Sequence, residues 1–96
     1  MEGIGEDFIP KTIDFSVVDD VIKVNDKQAF LTARALSKKE GILIGGTSGA
    51  ALYAAQKVSK NLKKGLVVAV FPDSGRSYLS KFYNDEWMKK NGFTNY

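Results

Sequence analysis

Between Glu40 and Ala51 the sequence runs Glu-Gly-Ile-Leu-Ile-Gly-Gly-Thr-Ser-Gly-Ala-Ala. Gly45, Gly46 and Gly49 let the backbone bend tightly and approach a ligand, while Thr47 and Ser48 set hydroxyls at the mouth of an alanine-rich helix. Free N–H groups at such a helix start suit an anion. The same residues also fit a plain glycine turn with Ser48 as N-cap. The segment is not a Walker A loop, because its lysine and spacing are absent. A second candidate, Pro72-Asp-Ser-Gly-Arg-Ser77, follows the most apolar run of the chain. It reads equally as a ligand-facing loop or as a turn in which Ser74 or Ser77 caps a helix. A third, Glu2-Gly-Ile-Gly-Glu-Asp7, offers small backbone that could pass close to a flat ligand, or is simply a flexible end.

Other chemistries are excluded by what is missing. The chain has no cysteine and no histidine. Disulfides, thiolate or imidazole metal sites, and Ser/His or Cys/His nucleophilic pairs are therefore absent, and no metal site is expected.

The elements that must hold these loops follow from periodicity. Residues 1–15 read mostly as loop. Ser16–Val24 alternates apolar and polar residues, as a strand does, and Asn25 or Asp26 then caps a helix carrying Ala29, Phe30, Ala33 and Leu36. Lys38 and Lys39 suit its last turn, and Gly41 stops it. Ile42–Ile44 is a short buried strand. A second helix from Ser48 shows Ala51, Leu52, Ala55, Val58 and Leu62 on one face, ending at Lys63-Lys-Gly65. Leu66–Phe71 reads as a strand covered on both faces. Tyr78–Phe82 and Asp85–Lys90 read as short helical pieces in which Phe82, Trp87 and Met88 anchor a core. The strand–helix alternation predicts an α/β parallel sheet with right-handed crossovers. Two full helices are too few to cover both faces of such a sheet, so 1–96 is expected to be one partial domain: a loop over 1–15 and strand/helix repeats over 16–96.

Size and composition agree. A chain of 96 residues makes one small domain or a piece of a larger one. Its 44% apolar and 26% charged content is ordinary for a globular domain. No apolar run nears the roughly 20 residues that span a bilayer, and the acidic, glycine-rich start is unlike a signal peptide, so no membrane and a cytoplasmic setting are expected. The net charge of +3 comes from scattered lysines without interleaved aromatics, so no nucleic-acid surface is expected.

Six blocks in order carry a family resemblance: Glu2-Gly-Ile-Gly-Glu-Asp-Phe-Ile-Pro10, Val17-Val-Asp19, Asn25-Asp26 leading into Ala29-Phe30, Glu40 through Gly49, Pro72-Asp-Ser74, and Asp85-Glu-Trp-Met88 with Gly92-Phe93. Together they resemble the C-terminal part of the catalytic domain in the cysteine synthase/cystathionine β-synthase family of pyridoxal-phosphate-dependent β-replacement enzymes. The resemblance implies a three-layer, parallel-sheet domain of the tryptophan-synthase-β-like fold type II. It implies pyridoxal 5'-phosphate as cofactor and condensation of L-serine with L-homocysteine to cystathionine, a lyase of transsulfuration and cysteine biosynthesis.

Residue by residue, the resemblance gives Thr47 the bond to the pyridine nitrogen. Gly3, Ile4 and Gly5 would lie near the ring and substrate, and Pro72 and Ser74 would line the pyridine side. The cofactor phosphate would be held by an earlier glycine loop, so the 45–49 loop would serve the ring rather than the phosphate. A neutral hydroxyl at the nitrogen leaves the ring a milder electron sink, which suits loss of a β-substituent followed by thiol addition. Glu6 departs from the aromatic residue usual in the animal enzymes, which leaves the finer substrate contacts open. No catalytic residue falls in the chain: the Schiff-base lysine, the phosphate loop and the substrate-carboxylate loop would precede Glu2. The 96 residues alone would then be inactive. Expected partners are the amino-acid substrates, the rest of the catalytic domain and, in the intact enzyme, a second subunit of a homodimer. The alternatives are O-acetylserine sulfhydrylase (cysteine synthase), a non-catalytic assembly domain derived from the fold, or an anion-binding module. Asp73 and the Asp85-Glu-Trp-Met88 tail favour the cystathionine β-synthase branch.

Overall fold

Asn25 decides where the first helix begins. In the computed structural model, which describes residues 14–93, its side chain accepts a hydrogen bond from the Gln28 amide at 2.8 Å. Gln28 Oε1 in return accepts from the Asn25 amide at 3.0 Å, closing a capping box. Helix α1 (Asp26–Glu40) then runs to Gly41, whose left-handed φ of 67° ends it, with Lys38 and Lys39 in the last turn against the negative end of the dipole.

Helix α2 (Gly46–Ser59) packs along α1. Gly49 makes this close approach possible: a Cβ there would collide with the Ala29 carbonyl oxygen and lie 3.1 Å from the Ala33 Cβ. Gln28 Nε2 ties the pair together by donating to the Tyr53 hydroxyl at 2.9 Å. The helix stops at Ser59 rather than near Lys63, because the amides of Asn61 and Leu62 turn back onto Val58 and Ser59 in tighter bonds of 3.1 Å. Val58 and Leu62, expected on the covered face, stay exposed.

A layer of aromatic residues closes the other side of α1. The Gly75–Tyr78 3-10 turn leads to helix α3 (Asp85–Lys90), which Asn84 caps by accepting from the Trp87 amide at 3.1 Å. Phe82 and Met88 are fully buried, as their helical spacing predicts, with Phe30 and Ile44 in the same cluster. The ring of Phe30 stacks on Phe82 at 4.7 Å, while Trp87 and Phe93 meet Phe30 edge-on at 5.8 and 5.4 Å. Arg34 reaches across from α1, donating to the Phe82 carbonyl at 2.8 Å and to Asp85 at 2.5 Å.

The sheet is where the structure departs from expectation. Among the described residues no strand ladder forms at 16–24, 42–44 or 66–71. Asp14 instead caps a 3-10 turn, Phe15–Val17, and its bonds from the Ser16 hydroxyl and amide lower its carboxyl below the usual range. Ile44 pairs with Ser74 in an isolated bridge that is antiparallel, not parallel. Leu66, Val68 and Val70 lie 88%, 77% and 74% exposed rather than covered on both faces. The cause is physical: a central parallel strand needs a hydrogen-bonding neighbour on each edge and a helix layer on each face. Residues 14–93 supply neither to the 66–71 run.

Candidate functional site

The start of α2 is built by a residue far from it in sequence. Gly45 is the N-cap and has no side chain to satisfy the first helical amides. Asp73 supplies one from the facing loop. Its Oδ1 accepts from the Ser48 amide at 3.0 Å and from the Ser48 hydroxyl at 2.5 Å, across 25 residues. The Ser48 oxygen also lies 3.0 Å from the Asp73 carbonyl and 3.3 Å from the Asp73 amide, so this fully buried hydroxyl has partners on every side.

Backbone bonds lock the two loops together. The Gly45 amide donates to the Asp73 carbonyl, and the Gly75 amide to the Leu43 carbonyl, each at 3.2 Å. Glycine is required at both corners. A Cβ on Gly45 would collide with the Asp73 carboxylate, and one on Gly75 would lie 2.7 Å from the Ile44 carbonyl oxygen. Tyr83 adds a brace by donating its hydroxyl to that Ile44 oxygen at 2.6 Å.

These bonds bring three of the sequence-predicted residues onto facing loops. Thr47 is half-buried in the first turn of α2. Ser74 is exposed, pairs with Ile44, and caps the 3-10 turn by accepting from the Arg76 amide at 3.2 Å. Pro72, also exposed, precedes Asp73. Gly3, Ile4 and Gly5 lie outside the described residues. Ser48 is not the N-cap of α2. The place an anion would take at this helix start is met by the chain's own Asp73 carboxylate, which argues against the anion-cradle reading.

Ser48–Asp73 and Tyr83 escape sequence reasoning, since no local pattern links positions 25 and 39 residues apart. The available hint was Gly45 and Gly75, each placed beside a residue that needs room. An open cleft of about 310 Å³, lined by Phe30, Tyr78, Lys81, Trp87 and Phe93 among others, includes no residue of 43–49 or 72–75 and is separate from these hydroxyls. Among the described residues, no cluster of acidic, histidine or cysteine side chains could hold a metal ion, and no helix is long and apolar enough to cross a membrane.

Burial raises the Tyr83 hydroxyl above its ordinary value of 10.0, and the Asp73 charge pushes the same way. The fold therefore binds this proton more tightly than the unfolded chain does. The resulting stabilisation is complete below about pH 10 and is lost as pH rises through the folded-state value. Tyr83→Phe is expected to flatten this alkaline limb in a stability–pH series, at a cost near neutral pH of about 1 kcal/mol for the lost bond. An alkaline limb as steep in the variant as in the parent would remove Tyr83 as its source.

Comparison with known proteins adds a second kind of evidence. A family model described as pyridoxal-phosphate dependent enzyme matches residues 1–73. Cystathionine beta-synthase from Dictyostelium discoideum is 48% identical over 94 residues, covering 97% of this chain and 19% of the relative. The rat protein of the same name is 49% identical over 94 residues, again 97% of this chain and 17% of the relative. A cysteine synthase from Buchnera aphidicola is 50% identical over 82 residues, covering 83% of this chain and 26% of its own length. The chain thus spans about a fifth of the curated synthases it matches.

Proposed function

The chain belongs to the pyridoxal-phosphate dependent enzyme family, and from that membership we propose that it is the C-terminal segment of the catalytic domain of a cystathionine β-synthase-like β-replacement enzyme. The observation that carries the reading is the 48–49% identity to cystathionine beta-synthases sustained over 94 residues, against 82 residues for the cysteine synthase. In this reading the intact enzyme is a cytoplasmic homodimer that condenses L-serine and L-homocysteine. The rest of its catalytic domain pairs with the 66–71 run to complete the parallel sheet.

Bound pyridoxal phosphate supplies the electron sink for cleavage at the β-carbon of an amino acid. The donor set of this chain fits the pyridine edge of that group. Thr47 offers a neutral hydroxyl in the first turn of α2, and the positive end of the helix dipole disfavours an added proton on a nearby ring nitrogen. The Asp73 carboxylate is engaged by Ser48. Thr47 would hold the nitrogen by donating to it, Ser74 and Pro72 would line the ring's neighbourhood, and the family resemblance would put Gly3, Ile4 and Gly5 beside the amino acid. No lysine of this chain is assigned to cofactor attachment, so the 96 residues alone are inactive; turnover by the purified chain would refute that.

Thr47→Val in the intact holoenzyme is the direct test. Loss of one hydrogen bond to the ring is expected to weaken cofactor binding about tenfold and to shift the absorption of the bound cofactor. Wild-type affinity and spectrum would remove Thr47 from the site. Turnover of serine plus homocysteine, set against O-acetylserine plus sulfide, separates the synthase reading from cysteine synthase.

A further inference from the structure

Thr47 hangs between two residues that Asp73 holds. On one side the Gly45 amide is bonded to the Asp73 carbonyl, and on the other the Ser48 amide and hydroxyl are bonded to Oδ1 of the same residue. Ser48 is fully buried. The backbone of positions 46 and 47 is therefore pinned at both ends by one side chain and its own peptide groups. Threonine is β-branched, so its χ1 has few wells once the backbone is set. Fixing the backbone here narrows the Thr47 hydroxyl to the few directions those wells allow.

The same bonds hold a carboxylate in one place. A free carboxylate beside a pyridine nitrogen would favour the protonated ring, whereas a neutral hydroxyl does not. Asp73 is half-buried on the loop facing Thr47, and its Oδ1 is taken by Ser48. Bonds of this kind to an ionised acceptor are about twice as strong as neutral ones. The carboxylate thus has a better-defined place at the start of α2 than at a ring.

We propose that Asp73, acting through Ser48, is a positioning residue that aims the Thr47 hydroxyl at the cofactor's pyridine nitrogen. The inference rests on the reading of Thr47 given above.

A double-mutant cycle on the purified holoenzyme tests it, read by pyridoxal-phosphate affinity and by the absorption and fluorescence of the bound cofactor. Asp73→Ala is expected to weaken cofactor binding about tenfold and to shift the spectrum in the direction of Thr47→Val. The double variant is expected to be no weaker than Thr47→Val alone, because the clamp has no effect once its target is gone. Full additivity of the two changes, or an unchanged spectrum in Asp73→Ala, would overturn the proposal. Ser48→Ala removes only the hydroxyl link and leaves an alanine that a helix tolerates. It is expected to move the spectrum the same way, and an unmoved spectrum there also overturns the proposal, even if Asp73→Ala fails to fold. A Thr47→Val enzyme with the parent's affinity and spectrum has a different meaning: it defeats the assignment of Thr47 itself, whatever the cycle shows.

Discussion

Phe82→Ala is expected to cost about 3–5 kcal/mol, the largest loss from any single truncation among the described residues. Phe82 is fully buried, stacks face to face on Phe30 at 4.7 Å, and also meets the rings of Tyr78 and Tyr83 at 5.1 and 4.4 Å. Removing the ring forfeits burial and ring–ring attraction together, and it leaves a hole that the surrounding side chains fill only in part. The Phe82 carbonyl, the acceptor for Arg34, survives the substitution, so the loss falls on the ring packing between α1 and the α3 region rather than on that bond. Hydrogen exchange in the protein carrying this chain is the suitable measurement. Amides of α1 and α3 are expected to lose protection together, and a loss below about 1 kcal/mol would show that the aromatic layer is not the main tie.

Gly49→Ala is expected to destabilise by about 1–3 kcal/mol although it adds a single methyl group. That methyl would meet the Ala29 carbonyl, a backbone atom of the opposing helix, which cannot rotate out of the way as a side-chain tip could. Relief requires α1 and α2 to move apart, which strains the Gln28–Tyr53 bond and the contacts of Ala33. Ordinary helix propensity predicts the opposite sign, since alanine is favoured over glycine by about 1 kcal/mol in a helix interior. A stabilised Gly49→Ala variant in chemical unfolding would therefore rule out the close crossing.

Local chemistry was the legible part of this chain. Asn25 or Asp26 and Gly41 announce the two ends of α1, and the structure settles the cap on Asn25, with Gln28 closing the capping box that the sequence reading left out. Phe82, Trp87 and Met88 announce a core by their spacing. The start of α2 was harder to read: the group that serves its first amides is Asp73, and sequence offers no sign of which distant carboxylate will arrive. The 66–71 run misleads for a related reason. An apolar stretch tells what a strand is made of and not who pairs with it, and pairing is what turns such a run into sheet. Thr47 and Ser74 were singled out from their neighbours' glycines and hydroxyls, and the two loops bearing them do meet, through Gly45–Asp73 and Leu43–Gly75.

The open run from Leu66 to Phe71 has a consequence for handling the protein. It holds six uncharged residues, four of them valine or phenylalanine, and no proline, a composition prone to stack into intermolecular cross-β assemblies. Lys63 and Lys64 stand before it, and Pro72 and Asp73 after it. Paired charges and a proline in these places act as gatekeepers that slow such stacking without changing the folded state. The chain in isolation is then expected to associate as its concentration rises, and substitutions that erase Lys63, Lys64 or Pro72 are expected to lower the concentration at which it does so.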